Sequence, residues 1–316
     1  MAQPWPLDNP RGGGEMLMAE TVEGRRMAEA EIDWRTLNRA SWDERVAVHL
    51  AAASYDLGPL RAGTARLHPI EEAELGEVAG RRILHLQCHF GRDSLALAQR
   101  GAEVVGLDFS GPAVAAAQAL ADELGLAASA RFVQADLYAA RTAIAEPQAF
   151  DLVFVTWGTI GWLPDLAEWA RIVAWFLKPG GSLYLAEGHP AAAVLDDQAG
   201  IDPAGRPGWF IGYFERGPIL LDDAGDYADP AARLANSRTC EWQHPVSAVV
   251  TALIEAGLHL RSLREHDAVP WRMFGCLIAG EDGMFRWPDR AWLPLAYSLR
   301  ATRPTATAIA PAGPAI

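Results

Sequence analysis

The sequence predicts an α/β fold built on a doubly wound, mostly parallel seven-stranded sheet, and two observations support this. Between residues 80 and 190, short runs of β-branched and aliphatic residues alternate with longer runs rich in Ala and Leu. That alternation is typical of βαβ units, in which crossover helices join parallel strands. Two further strand-like runs, at residues 258–264 and 295–301, bring the number of predicted strands to seven.

Composition narrows the possible partners. The chain has 316 residues and a net charge of −13, which argues against a nucleic-acid partner because phosphate binding depends on clustered Lys and Arg. Cys88, Cys240 and Cys276 form no CxxC pair, so neither a disulfide framework nor a thiolate zinc site is expected. No apolar run approaches the roughly 20 residues that span a bilayer, and no signal-peptide pattern is present. These features predict a cytoplasmic protein that does not use a membrane.

The N-terminal part divides into two predicted segments. Residues 1–26 are rich in Gly, Pro and charge and are predicted to be disordered. Because this segment offers little to pack, a hypothesis is that translation starts at Met16, Met18 or Met27. Residues 27–79 are predicted to form a helical lid segment.

Within that lid segment, one or two amphipathic helices are predicted over residues 32–50, where apolar residues recur at mostly helical intervals. Those residues are Ile32, Trp34, Leu37, Trp42, Val46 and Leu50. Residues 57–63 contain two glycines and a proline and are predicted to be a loop. Residues 70–75 are predicted to form a short helix that leads into the core.

Residues 80–190 are predicted to be the ligand-binding core. Its five strands are predicted at residues 82–86, 103–107, 130–134, 150–156 and 182–187. Helices are predicted at residues 93–100, after Ser110 as N-cap with Pro112 in the first turn, and at residues 163–177. A Lys-Pro-Gly-Gly sequence at residues 178–181 ends the last of these helices.

The remainder of the chain is predicted to cap and complete this core. Residues 191–243 are rich in Gly, Pro and Asp and carry an aromatic cluster at residues 209–214, as expected of a cap or substrate-binding insertion. Residues 244–303 are predicted to complete the core sheet, with a helix at residues 245–256 before the last two strands. Residues 304–316 are predicted to be a disordered tail.

Ligands on a doubly wound sheet lie beyond the carboxyl ends of the strands, so the residues that follow the strands are the candidates for binding. Gly91 precedes a helix after the first strand, where the backbone can approach a ligand closely. Asp108 ends the second strand, where it can accept hydrogen bonds from ribose hydroxyls, and Asp136 ends the third, where it can accept from an adenine amino group. These residues suit a dinucleotide or S-adenosylmethionine (SAM).

An ordered series of motifs separates these two ligands. The first loop lacks the G-x-G-x-x-G pattern of dinucleotide sites, and FDLVFVTWG and LKPGGSLYLAE follow at residues 150–158 and 177–187. Over residues 80–190 this series resembles the class I SAM-dependent methyltransferases and not the nicotinamide dehydrogenases. The longer set LHLQCHFGRDSL, GLDFS, GWLPDL, AEGHP, EWQHP and PWRMF resembles a bacterial subgroup of that class, from about Trp34 to Pro304. This resemblance names a family and not a substrate.

The resemblance implies the class I methyltransferase fold, a SAM-binding Rossmann-like core and S-adenosyl-L-homocysteine (SAH) as product. The first motif departs from the family's acid-x-Gly-x-Gly-x-Gly pattern, because His85, Gln87 and His89 replace the acid and the first two glycines. His85 or the Gln87 carbonyl is a candidate to take over the acid's role at the SAM amino group. The candidate cofactor-binding residues are Tyr55, His85, Gln87, Cys88, Gly91, Asp108, Phe109, Ser110, Asp136, Leu137, Thr156 and Trp157.

Methyl transfer needs an aligned acceptor and, for acceptors of high pKa, a general base. His189, His244 and His266 are the candidate catalytic residues, although each also suits a structural, hydrogen-bonded role, and nothing in their separation indicates a metal site. The candidate substrate-binding residues are Trp157, Trp162, His189, Trp209 and Tyr213. Aromatic side chains of this kind favour an aromatic or an amine acceptor.

The sequence therefore predicts a SAM-dependent methyltransferase that acts on an O or N atom of a small molecule, such as a metabolite or natural product. Two alternatives stay open. The acceptor could be a protein or RNA, although the acidic composition disfavours RNA. The missing glycines also allow a non-catalytic SAM-binding protein on the same fold.

Overall fold

A computed structural model describes residues 32–203, 205–229 and 231–305. The chain divides into two units after Asp33, and the helices and strands named below belong to the unit that begins at Trp34. The predictions for residues 1–26, for the start of translation and for residues 306–316 lie outside the described residues.

Eight α-helices are described in this unit. They are α1 (Trp34–Ala51), α2 (Gly58–Arg61), α3 (Pro69–Leu75), α4 (Arg92–Gln99), α5 (Gly111–Glu123), α6 (Ala140–Ile144), α7 (Leu166–Phe176) and α8 (Val246–Glu255). The prediction of a loop over residues 57–63 is wrong, because α2 lies within that range. Pro59 lies in the first turn of α2, where the N–H that proline lacks would have no helical partner in any case.

Fourteen strands are described. They are β1 (Arg82–Leu86), β2 (Glu103–Asp108), β3 (Ala130–Gln134), β4 (Phe150–Thr156), β5 (Leu177–Gly188), β6 (Leu195–Ile201), β7 (Pro207–Trp209), β8 (Ile219–Asp222), β9 (Arg238–Glu241), β10 (His259–His266), β11 (Ala268–Val269), β12 (Ile278–Ala279), β13 (Phe285–Arg286) and β14 (Ala296–Thr302).

The main sheet has seven strands in the order β10-β14-β5-β4-β1-β2-β3. Strands β1 to β5 are parallel to one another, and β14 is antiparallel to both β5 and β10. The strand order reverses direction between β1 and β4, which is the switch point where a doubly wound sheet opens a crevice for a ligand. The predicted doubly wound, mostly parallel seven-stranded sheet is confirmed.

Both faces of the sheet are buried, as the βαβ pattern requires. Leu84 and Leu86 of β1 pack with α6, α7 and α8 on one face, whereas Ile83 packs with α4 and α5 on the other. Trp169 and Phe176 of α7 are fully buried in the first of these layers. Helices on both faces hold the strands rigidly, so the residues at the carboxyl ends have a fixed frame.

The insertion between β5 and α8 forms two small hairpins, β6–β7 and β8–β9. The second hairpin meets α1 through Asn38, whose side-chain amide donates to the Cys240 carbonyl and accepts from the Cys240 N–H, both at 2.8 Å. A third small sheet, in the order β11-β13-β12, lies beyond β10. In the described part of the chain, no helix has the length and apolar character needed to cross a bilayer.

Candidate functional site

The loop after β1 has an unusual backbone. Gln87, His89 and Gly91 have φ values of 56°, 51° and 76°, in the left-handed region that favours glycine. Two of these three positions therefore carry side chains on backbone that normally needs a glycine. Strain of this kind persists where the surrounding structure fixes the loop and is common at functional sites.

Asp108, at the end of β2, fixes this loop. Its carboxylate accepts the backbone N–H of His89 at 2.8 Å and that of Ser110 at 2.9 Å. Burial raises the pKa of Asp108 to about 6, with a contribution from the Asp43 carboxylate, although the N–H groups of Ser110 and His89 oppose the change. Each carboxylate oxygen has more than one lone pair, so Asp108 retains the capacity to accept from a ligand hydroxyl.

The absence of a side chain at Gly91 allows the first loop to pack closely against its neighbours. A Cβ at this position would lie 2.7 Å from Phe132 and 2.9 Å from Ala117. Cys88 is buried next to Gly106, and burial raises the pKa of its thiol well above the usual value. A neutral, buried thiol fits the interpretation of Cys88 as a packing residue of the loop and not a nucleophile.

Helix α1 covers the same edge of the sheet with polar and aromatic side chains. Arg35 donates to the Asp136 carboxylate at 3.1 Å, so the acid that ends β3 is held by the helix. Asp43 Oδ1 is buried and has no hydrogen-bond partner among the described residues. The buried residues of α1 are mostly polar, whereas Leu50, which belongs to the predicted apolar face, is 38% exposed.

A network of polar contacts at this edge joins α1, the loop after β1 and the insertion between β5 and α8. His49 Nε2 lies 3.1 Å from Asp226 Oδ2, and His49 Nδ1 lies 2.9 Å from His89 Nε2. Arg45 also donates to Asp226, at 2.8 Å. The side chains of His49 and Asp226 are fully buried.

Aromatic rings surround this contact. Tyr55 stacks on His49 with ring centroids 4.9 Å apart, and its hydroxyl lies 2.6 Å from the Tyr227 hydroxyl. Burial raises the pKa of Tyr55 to about 12. Trp42 lies edge-on to His89 at 5.5 Å and to Trp162 at 5.4 Å. The predicted cofactor residue Tyr55 and the predicted substrate residue Trp162 are thus within one cluster.

The end of β4 leads to Trp157, which has a φ of 53°. Its indole N–H donates at 2.6 Å to Glu71 of α3, a carboxyl group that is buried completely. Burial, reinforced by Asp93, raises the pKa of Glu71 well above its usual range. The second Glu71 oxygen has no partner in the described part of the chain.

The end of β5 carries Glu187, which is connected to the first loop. Its carboxylate accepts the N–H of Thr159 at 2.8 Å and the Thr159 hydroxyl at 3.0 Å. The Thr159 carbonyl in turn accepts from the Gln87 side-chain amide at 2.9 Å, while Gln87 Oε1 is buried without a partner within the described ranges. Burial raises the pKa of Glu187 to about 7 despite the Thr159 donors.

We expect Glu187 to make the stability of the protein depend on pH. A carboxyl whose pKa is raised in the folded state stabilises the fold below its unfolded pKa, and that stabilisation is lost as the pH rises through about 7. The wild type should therefore lose about 3 kcal/mol relative to Glu187→Gln between pH 4.5 and pH 8. Urea unfolding of both proteins at pH 4.5 and pH 8 measures this difference, and parallel pH profiles would contradict it.

The three histidines predicted as catalytic candidates are not brought together. His189 Nδ1 accepts the Ala191 N–H at 3.0 Å, and its Nε2 lies 3.1 Å from Glu265. His244 donates to the Leu163 carbonyl at 2.8 Å, and His266 lies 2.9 Å from the Ser298 hydroxyl on the neighbouring strand. These contacts are structural in character, and a catalytic role for any of the three stays a prediction.

The other predicted binding residues have varied positions. His85 is buried and lies 2.8 Å from the Ser94 hydroxyl, and burial lowers its pKa to about 4. Ser110 is the N-cap of α5, as predicted, and accepts the Ala113 N–H. Thr156 is buried at the end of β4, Leu137 is buried in a short 3-10 helix after β3, and the Phe109 carbonyl accepts from Gln134. Among the predicted substrate residues, Trp209 is 78% exposed, and Tyr213 packs edge-on against Phe214.

Sequence reasoning missed Asp43, His49, Glu71, Glu187 and Asp226. A signal for the residues of α1 was present, because Arg35, Asn38, Trp42, Arg45 and His49 recur at alternating spacings of three and four. On this helix face, polar and aromatic residues recur at the spacing that is usual for buried apolar residues. Such a face indicates a binding site and not an ordinary hydrophobic core. Asp226 has no such local signal. In the described residues, no group of three or more His, Cys, Asp or Glu side chains is placed to hold a metal ion.

The comparisons with known proteins agree with this fold. Residues 83–181 match a family model described as "Methyltransferase domain". Curated relatives include the ubiquinone biosynthesis O-methyltransferases of Ralstonia nicotianae, 33% identical over 35% of this chain and 45% of the relative, and of Stutzerimonas stutzeri, 32% identical over 34% of this chain and 45% of the relative. The chain thus matches less than half the length of these relatives.

A solved SAM-dependent methyltransferase from Mesorhizobium loti is 24% identical with a TM-score of 0.51, over 74% of this chain and 96% of that one. Another, from Methanosarcina mazei, is 19% identical with a TM-score of 0.50, over 76% of this chain and all of that one. At such identities the likeness concerns the fold. Together with the seven-stranded sheet, it shows that this chain has the class I methyltransferase fold, and residues 83–181 are similar to a methyltransferase domain.

Proposed function

We propose that the protein transfers a methyl group from SAM to an O or N atom of a small molecule. The observation that carries this proposal is the set of acceptor groups at the carboxyl edge of the sheet. Asp108 lies there beside the first loop, and Asp43 Oδ1 and Gln87 Oε1 are buried acceptors without partners in the described chain. SAM presents hydroxyl and ammonium donors, and a buried acceptor is stable only when a donor reaches it.

The residues present therefore fit this cofactor. Asp108 and Asp43 would hold the ribose hydroxyls, and Asp136 would accept from the adenine amino group. Gln87 would accept from the amino group of the methionine part, in place of the acid that His85 replaces. When bound, SAM supplies a methyl group on a positively charged sulfur, which needs alignment and exclusion of water more than further activation.

Two features favour a small acceptor. Helix α1 and the insertion meet through the His49–Asp226 and Asn38–Cys240 contacts, and the His49–His89 contact joins them to the first loop, so both segments cover part of this edge. The O-methyltransferase names of the curated relatives favour an oxygen atom as the methyl acceptor, although the matches cover under half of those proteins.

A second candidate function is SAM binding without methyl transfer. The Gln87 and His89 side chains stand at loop positions where glycines would leave space for the cofactor, and this observation favours such a reading. The two functions differ in whether a methyl group leaves the cofactor.

The test has two steps. Calorimetry with SAH should show binding to the wild type, and incubation with methyl-labelled SAM and a metabolite extract should label a low-mass product. Label in the protein or RNA fraction would point to a macromolecular acceptor. Binding without any transfer would support the second candidate, and the absence of SAM and SAH binding would overturn both functions.

A further inference from the structure

We propose that Asp226, His49 and His89 form a proton relay in which His89 Nδ1 is the general base that deprotonates a hydroxyl acceptor. This inference rests on the proposed methyl transfer and narrows its acceptor class to compounds with an ionisable O–H group. His89 would be the catalytic residue, and His49 and Asp226 would be positioning residues that act through it.

The relay is built from three distant parts of the chain. His49 comes from α1, His89 from the loop after β1 and Asp226 from the insertion. Their contacts of 3.1 Å and 2.9 Å are ordinary hydrogen-bond distances, and the His49 and Asp226 side chains are fully buried. A row of buried polar side chains is stable only when its members satisfy one another, so its protonation pattern is determined.

The charge of Asp226 determines which ring nitrogen of His49 carries a hydrogen. Burial raises the pKa of Asp226, but hydrogen bonds from His49 and the Ala228 N–H, with the positive charge of Arg45, outweigh burial and lower it to about 2. The carboxylate is therefore ionised and only accepts, so His49 Nε2 carries a hydrogen and donates it.

The proposed relay places the second proton on His89 Nε2. With Nε2 protonated, a neutral His49 has a bare Nδ1, which accepts from His89 Nε2. His89 then has its hydrogen on Nε2 and a lone pair on Nδ1, and the structure shows no hydrogen bond to that Nδ1 from any described residue. Burial, with a contribution from His49, lowers the pKa of His89 to about 3, so the ring is in its base form at neutral pH.

The surroundings of the relay are mainly aromatic. Trp42, Tyr55 and Phe90 lie around the His89 ring, and the backbone N–H of His89 donates to Asp108. The charged and titratable groups that face the relay are Arg45, Tyr55, Asp108, Asp226 and Tyr227. Only Arg45 and Asp226 form an ion pair with one another, so the relay contains one negative charge that is partly balanced.

His89 is positioned to meet an acceptor. It stands where the family's first motif has its second glycine, so its side chain extends from backbone that the cofactor approaches. Trp42 lies edge-on to both His89 and Trp162, so two tryptophan rings are close to the His89 ring on this side. In the proposed relay, the acceptor binds beside these rings with its hydroxyl against the free lone pair of Nδ1.

The proton movements balance. As the acceptor oxygen bonds to the methyl carbon, the bond from that carbon to sulfur breaks and SAH is formed. The acceptor's hydroxyl proton passes to His89 Nδ1, the Nε2 proton of His89 passes to His49 Nδ1, and His49 becomes an imidazolium paired with Asp226. Because the charge ends beside a buried carboxylate, a base of low pKa can still complete the transfer.

The tautomers are the direct test and need no acceptor. In nitrogen-15 spectra of histidine-labelled protein at pH 7, His89 should be protonated at Nε2 and bare at Nδ1, and His49 should be protonated at Nε2. The His89 signals are those that disappear in His89→Asn, a change that keeps a side chain tolerant of positive φ. A His89 that is protonated at Nδ1, or charged, at pH 7 would overturn the relay.

The variants test the base itself. With methyl-labelled SAM and two probes, 4-methylphenol and the more acidic 4-nitrophenol, His89→Asn should lower transfer to 4-methylphenol by about 100-fold or more. The loss should be much smaller for 4-nitrophenol, which is largely ionised above neutral pH. His49→Phe, which retains a ring against Tyr55, should show the same pattern with a smaller loss. An equal loss for both phenols would show a merely structural role and overturn the proposal.

Tyr227→Phe is the matched control, because it removes the hydroxyl contact to Tyr55 from the same insertion and leaves the relay intact. It should keep the tautomers and the rates within about threefold of the wild type. Failure of SAH binding in the wild type would overturn the proposed function, whereas normal SAH binding with the wrong His89 tautomer would overturn the relay alone.

Discussion

Replacing Asp108 with Ala is expected to weaken SAH binding by about 1–3 kcal/mol, or roughly 5- to 150-fold. The change removes the acceptor proposed for the ribose and releases two backbone N–H groups, those of His89 and Ser110. Since His89 has a positive φ, the loss of its anchor should also let the loop relax toward ordinary conformations. Calorimetric titration of SAH into both proteins measures the effect.

Asp151→Ala is the control for this experiment. Asp151 also accepts a backbone N–H, that of Arg82 at 2.9 Å, but it lies near the start of β4, at the opposite edge of the sheet. Its removal should lower stability without changing the affinity for SAH. Equal SAH affinity in Asp108→Ala and the wild type would show that the cofactor does not rest on β2.

Replacing Gly106 with Ala is expected to destabilise the fold by about 1–3 kcal/mol through overpacking. Gly106 lies in β2, between β1 and β3, and an added Cβ would lie 2.5 Å from Phe132 and 2.8 Å from Cys88 Sγ. A buried β-strand cannot shift by the several tenths of an ångström that such contacts require, because its neighbours on both sides fix its register. Urea unfolding measures the loss.

A double-mutant cycle isolates the cause. Phe132→Ala removes the ring that meets the added Cβ, so Gly106→Ala should be less destabilising in that background than in the wild type. Gly161→Ala is the control, because a Cβ there would meet nothing closer than the Trp242 carbonyl at 3.8 Å. Additive effects of the Gly106 and Phe132 changes would contradict the packing explanation.

The sequence predicts the central elements closely where local signals are strong. The predicted strands at residues 82–86, 130–134 and 150–156 coincide with β1, β3 and β4, because apolar runs there end at polar residues or glycines. The helix predicted from residue 163 begins instead at Leu166, since the Asp165 side chain accepts the Glu168 N–H and caps the first turn. Pro164 also delays the start of that helix, because the residue before a proline disfavours the helical conformation.

The site is less predictable than the fold. The position of Asp108 follows from its place at the end of a strand, which sequence alone indicates. The partners of that region do not, because His49 and Asp226 are 177 positions apart and only the tertiary structure brings them together. The expectation for α1 concerned its apolar residues, whereas its buried face is formed mainly by Asn38, Ser41 and His49.

The contacts between α1 and the insertion have a consequence for folding. They join residues separated by 177, 181 and 202 positions, in the pairs His49–Asp226, Arg45–Asp226 and Asn38–Cys240. Closing loops of this length has a high entropic cost, and pairings between distant residues slow folding. We therefore expect the sheet to form before the relay is assembled, and amides of α1 and β9 to exchange their hydrogens together and earlier than those of β1 and β4.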